Sequence, residues 1–202
     1  MSSTAVFAGK LVDKEKEQAP IMSNKQAQTE THIRAGQAKA LRAIDQAKYQ
    51  KTAIKTVFIE IKEFTDSKGL KYLAGEISHA DIARYLRQMK TILVDKFDSF
   101  REYQSSRDHG LFHMTIVNPV EYQTLAEPSK ILGYKIRIHL YGLGRVSKDN
   151  NTAYFVIADS NDGRFIRQKH LLAPKDFHVT LGFEEQDVHG VAKNQDTFIT
   201  KY

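Results

Sequence analysis

Apolar and polar residues alternate along Val57-Phe58-Ile59-Glu60-Ile61-Lys62. Val57, Ile59 and Ile61 then fall on one side of an extended chain, which predicts a β-strand. The period changes after Ser78. Ile82, Tyr85, Leu86, Met89, Leu93 and Phe97 recur at three- and four-residue spacing, the stripe of a helix laid on a core. Ser78 with Asp81 resembles a capping box in which Asp replaces Glu or Gln. A second strand is predicted from Phe112 to Val117, ending at Asn118-Pro119 because proline cannot donate to a sheet ladder.

The second half repeats this order. Lys135 to Tyr141 alternates, with Ile136, Ile138 and Leu140 on one face and Lys135, Arg137, His139 and Tyr141 on the other, and Gly142 and Gly144 are expected to break it. Ala153 to Asp159 is apolar on both faces and so predicts a central strand. Asn161 to Leu172 predicts a helix with Phe165, Ile166 and His170-Leu171 over the sheet and Pro174 just past its end. Two similar supersecondary units in one chain suggest an internal duplication. Helices would cover the apolar sheet faces and leave the polar faces turned into an opposite concavity.

Each unit ends on the same short motif. Phe112-His113-Met114-Thr115-Ile116 and Phe177-His178-Val179-Thr180-Leu181 both read Phe-His-x-Thr-aliphatic. Strand side chains alternate, so His and Thr two residues apart point the same way. Each motif offers one imidazole and one hydroxyl on one face, and two brought together make an acid–base site for a phosphodiester. One His-x-Thr on a strand is common enough to mean nothing. Two, sharing the preceding Phe and the following aliphatic residue, are hard to attribute to chance. A metal site is the weaker reading, since no His-Glu-x-x-His occurs and acidic residues do not cluster at either motif.

Composition narrows the rest. At 202 residues, 41% hydrophobic and 27% charged, the chain is long enough for one real core. The net charge of +6 favours an anionic partner. With no cysteine there are no disulfides, thiolate nucleophiles or Cys-type zinc sites. Lys10, Asp13, Lys14, Glu15, Lys16 and Glu17 interrupt any apolar leader, so a cytoplasmic, membrane-free protein is expected. Residues 1–25 lack periodicity and read as a flexible arm. Residues 26–55 read as a basic helical extension. Ile33, Gln37, Leu41, Ile44 and Lys48 mark its thin stripe, and Gly36 inside it costs about 1 kcal/mol relative to Ala. It is either a solvated helix packed on the main domain or an RNA-binding arm. Residues 56–202 form the main domain.

Paired His-x-Thr motifs on strands of a duplicated α+β chain resemble the 2H phosphoesterase superfamily, which includes LigT-like RNA cyclic phosphodiesterases and viral 2′,5′-phosphodiesterases. The resemblance runs from about Thr56 to Phe183. It implies a two-lobed fold with antiparallel sheets lining a central cleft and helices on the outer faces. It also implies His113 and His178 as the catalytic pair and Thr115 and Thr180 as phosphate-binding hydroxyls. Arg137, His139 and Tyr141 either project into that groove or form an exposed polar face. Gly142-Leu143-Gly144-Arg145 is read as a hairpin turn from which Arg145 can reach a phosphate. Asp187-Val188-His189-Gly190 is read as a turn first and a substrate contact second, and His109 and His170 as surface or capping residues. Tyr154 and Phe183 are expected in the core.

The expected function is metal-independent, cofactor-free hydrolysis of a cyclic or 2′,5′-linked nucleotide or RNA phosphodiester by a monomer. The alternative is a catalytically silent nucleotide- or RNA-binding module using the same cleft.

Overall fold

The computed structural model describes residues 54–199. The arm over 1–25 and all but the last two residues of the basic extension lie outside them. Six strands are joined as β1 (Lys55–Thr65), β2 (Lys71–Ile77), β3 (Phe112–Val117), β4 (Lys135–Lys148), β5 (Asn151–Asp159) and β6 (Phe177–Phe183). Helices α1 (His79–Leu93) and α2 (Phe97–Asp108) separate β2 from β3, the short α3 (Pro119–Tyr122) follows β3, and α4 (Asn161–Lys169) separates β5 from β6.

The strands close into one antiparallel barrel in the order β1-β2-β3-β6-β5-β4, with β1 pairing β4. Both halves run strand, strand, helix, strand, the first with two helices, where a single strand was expected ahead of α1. The two repeats meet edge to edge at β3/β6 and again at β1/β4. They therefore form a single closed sheet, where separate sheets facing across a cleft were expected. Closure leaves no free strand edge in the ring.

The helices lie over the apolar side of the motif strands. The Arg101 guanidinium of α2 sits 4.4 Å above the Phe112 ring and also donates to the Leu181 carbonyl. Gly163 of α4 abuts the Phe177 ring, 3.0 Å from where a Cβ would stand. Met114, Ile116, Val179 and Leu181 are fully buried, each such burial contributing about 1.5–3 kcal/mol. The same alternation turns the His and Thr side chains the other way.

Three elements differ from expectation for local reasons. The predicted helix stripe ran through to Phe97, but Val94 takes a φ of 48° and ends α1, and α2 starts afresh after a single 3-10 turn. β2 was not foreseen: its run of buried residues does not alternate, and a bulge sits between Leu73 and Ala74. Gly142 and Gly144 do not break β4. They admit the rings of Phe198 and Phe155, where any Cβ would collide. The turn comes later, at Asp149 and Asn150, both with positive φ (50° and 62°), as a tight hairpin turn of the I′ kind requires. Among the described residues no helix is long and apolar enough to cross a membrane.

Candidate active site

The register at the β3/β6 seam builds the site. Met114 pairs with Val179 in antiparallel sense, so continuing the ladder sets His113 across from Thr180 and Thr115 across from His178. Directly opposed residues share a sheet face. All four side chains accordingly line one cavity of about 710 Å³.

Both flanks of the seam are tied down. The buried Arg167 of α4 donates to the Ile116 carbonyl at the end of β3 (2.6 Å) and to the Ala173 carbonyl ahead of β6 (2.9 Å). It also grips Glu121 through both guanidinium NH2 nitrogens, at 2.9 and 2.6 Å. Glu121 in turn completes a capping box with Asn118 at the start of α3. On the other flank, buried Gln104 of α2 donates to the Leu111 carbonyl at 2.8 Å. One guanidinium and one carboxamide thus hold the backbone at both ends of the first motif and upstream of the second.

The cavity extends from the seam to the β1–β2 turn, where Asp66 accepts from the Lys68 and Leu70 amides (2.9 and 2.8 Å). Tyr72 of β2 reaches it beside His113, its hydroxyl 3.5 Å from His113 Nε2. Phe64, Tyr72 and His113 form a cluster of rings with centroids 5.5 to 5.6 Å apart. Burial pushes the Tyr72 hydroxyl up to about 12, so it stays protonated at any working pH.

Charged groups line the same cavity. Asp187 is 5% exposed and accepts from Arg107 and, at 3.1 Å, from Lys193, itself 5% exposed. Arg107 also grips Asp108. Burial works against the Asp187 charge, but Lys193 and Arg107 outweigh it and hold the carboxyl at about 2. Burial likewise opposes the Arg107 charge, and Asp108 and Asp187 reverse the balance, so the guanidinium is raised.

The two imidazoles differ. Burial first, then the Lys193 and Lys175 charges, push His178 down to about 3. His113 is also lowered by burial, against which Asp108 acts. His178 Nδ1 lies 3.3 Å from the Asp176 carbonyl. A proton on Nδ1 satisfies that contact and leaves Nε2 with a free lone pair.

The structure brings His113, Thr115, His178 and Thr180 together, and Asp187 and His189 line the same cavity. It does not bring Arg137, His139, Tyr141 or Arg145 there. β4 lies across the ring from the β3/β6 seam. The Arg137 backbone is instead bound to Asp162 and Ser160 at the start of α4. His139 Nδ1 meets Thr56 at 3.0 Å, Tyr141 occupies a bulge between Leu140 and Gly142, and Arg145 is exposed opposite Tyr154. His109 and His170 take the C-cap positions of α2 and α4, and Tyr154 and Phe183 are core. Sequence reasoning passed over Tyr72, Arg107, Lys175 and Lys193. None belongs to a motif, and only the closure of the barrel gathers them.

A closed antiparallel α+β barrel with paired His-x-Thr motifs at one seam defines a phosphoesterase-type protein. Residues 77–189, more than half of the chain, match the family described as the Swiss Army Knife 2H phosphoesterase domain, and the chain belongs to the 2H phosphoesterases. No curated protein and no solved structure matches it. The matched stretch holds both motifs and begins at the last residue of β2, so Phe64 and Tyr72 lie outside it.

Proposed function

We propose that this protein is a metal-independent phosphodiesterase that hydrolyses a cyclic or 2′,5′-linked phosphodiester of a nucleotide or RNA end. The observation that carries the reading is the Met114–Val179 register, which opposes the two motifs across one seam. The duplicated chain would then supply one acid–base unit from each repeat.

In the free protein both imidazoles are driven towards the neutral form. A phosphodiester anion seated between them offsets the lysine charges and draws a proton onto the less depressed one. Two titratable groups whose surroundings push them apart divide the acid and base roles. His178, aimed by Asp176, is the base: its Nε2 takes a proton from the attacking water as the new P–O bond forms. His113, whose depression Asp108 moderates, is the acid and protonates the oxygen that leaves as the old P–O bond breaks. Thr115 and Thr180 donate to the non-bridging oxygens, where charge accumulates. The products are one phosphomonoester and one free hydroxyl.

The test is hydrolysis of a panel of 2′,3′-cyclic and 2′,5′-linked nucleotides in EDTA, with His113→Ala and His178→Ala beside the wild type. Each substitution is expected to cost about 10²–10⁴-fold in kcat. Full turnover in both variants would remove the two histidines from the chemistry. Tight binding without turnover by the wild type would leave the cleft as a binding module.

A further inference from the structure

The cations lining the cavity are Lys68, Arg107, Lys175 and Lys193. Arg107 is held between Asp108 and Asp187, and Lys193 is bound to Asp187. Lys68 is exposed on the β1–β2 turn. Lys175 is different: it is half-buried, and among the described residues its ammonium makes no hydrogen bond or ion pair. Glu121, the acidic group whose charge acts on it, is already taken by both NH2 groups of Arg167. A partly desolvated cation without an anion is costly to keep. It persists where a ligand supplies the missing charge.

Its position says which charge. Lys175 stands three residues before His178, in the segment fixed by the Arg167–Ala173 bond, and its field reaches both imidazoles. Lys175 lines the same cavity as His113, Thr115, His178 and Thr180, where the proposed function seats the phosphodiester.

We propose that Lys175 is a further catalytic residue, whose ammonium binds a non-bridging oxygen of the scissile phosphate and stabilises the charge that grows there. The proposal rests on the phosphodiesterase reading for its catalytic half, while its phosphate-binding half stands apart from turnover. The charged and titratable groups that interact electrostatically with Lys175 are Glu121 of α3, Arg167 of α4, Lys193 of the C-terminal segment and the two histidines. Burial brings it down to about 8, with Arg167 and Lys193 acting in the same direction and Glu121 against. Its charge is therefore lost above that pH unless an anion holds it.

The experiment uses the full chain and calorimetric binding of nucleoside 2′- and 3′-monophosphates between pH 6 and pH 10. Lys175→Met, Lys175→Arg and, as a charge control on the exposed end of α4, Lys169→Met accompany the wild type. Wild-type affinity should fall as pH rises past about 8. Lys175→Met should bind roughly 10–100-fold more weakly at pH 7, the equivalent of one charged hydrogen bond, and lose that pH dependence. Lys175→Arg should recover most of the affinity and hold it to pH 10, and Lys169→Met should match the wild type. The thermal midpoint of Lys175→Met should be unchanged or raised, which separates the effect from misfolding. On a hydrolysed panel member, kcat should fall in Lys175→Met and return in part in Lys175→Arg. Wild-type affinity and pH dependence in Lys175→Met would overturn the proposal. A binding loss without any wild-type turnover would keep the phosphate contact and defeat the hydrolase reading instead.

Discussion

Asp187→Asn tests the charged wall of the cavity. The carboxylate is 5% exposed and is shared by Arg107 and Lys193. Its folded pKa of about 2 lies below the ordinary 3.8. Between those values the unfolded chain binds more protons, so stability rises with pH across that window. The linkage contributes about 2 kcal/mol, fully present above pH 5 and lost as pH falls through 2. The amide keeps the shape but leaves buried Lys193 without its anion, beside a half-buried Arg107 that keeps Asp108. Breaking a buried pair from one side costs about 3–5 kcal/mol. For a chain of this size the thermal midpoint should drop by roughly 6–20 °C at pH 7. Urea denaturation at pH 7, 5, 3 and 2 reads both effects. The gap between wild type and variant should be widest at pH 7 and should shrink between pH 5 and pH 2. A gap under about 0.5 kcal/mol, or one of constant size at every pH, refutes the assignment of Asp187 as the charge that neutralises this wall.

Two further substitutions probe how the seam is held. Gly182→Ala places a methyl 2.5 Å from the Met89 terminal carbon and 2.9 Å from the Phe100 carbonyl oxygen, so it should cost about 1–3 kcal/mol by overpacking, measured as a shift in the urea midpoint. Ser160→Ala removes the hydroxyl that caps α4 by accepting from Gly163 (2.9 Å) and donates to the Arg137 carbonyl (2.7 Å). It should cost about 1–2 kcal/mol while leaving nucleotide affinity unchanged, because neither bond touches the cavity.

The elements most legible in the sequence were those whose burial is one-sided. α1 shows its stripe, the first half of β4 alternates cleanly, and β5 sits between two strands as its two apolar faces require. β2 is buried on both sides of a bulge, so its residues give no period to read. Gly142 and Gly144 misled because glycine admits two explanations, a turn or the close approach of another group, and the deciding rings belong to Phe155 and Phe198. The bulge at Tyr141 and the position of β4 in the ring removed the expected contacts from Arg137, His139, Tyr141 and Arg145.

By itself the sequence determined the family and the four motif side chains, because alternation along a strand is a property of the local backbone. His113 and Thr115 share a face wherever β3 goes, and so do His178 and Thr180 on β6. The sequence could not determine how those strands meet. Only the closure of the barrel set Met114 against Val179 and chose the β3/β6 seam for the cavity. Closure also drew Tyr72, Arg107, Lys175 and Lys193 to it from four separate segments. The charges of Arg107, Lys175 and Lys193 act through space on the imidazoles, and such effects depend on distances that no spacing along a chain specifies.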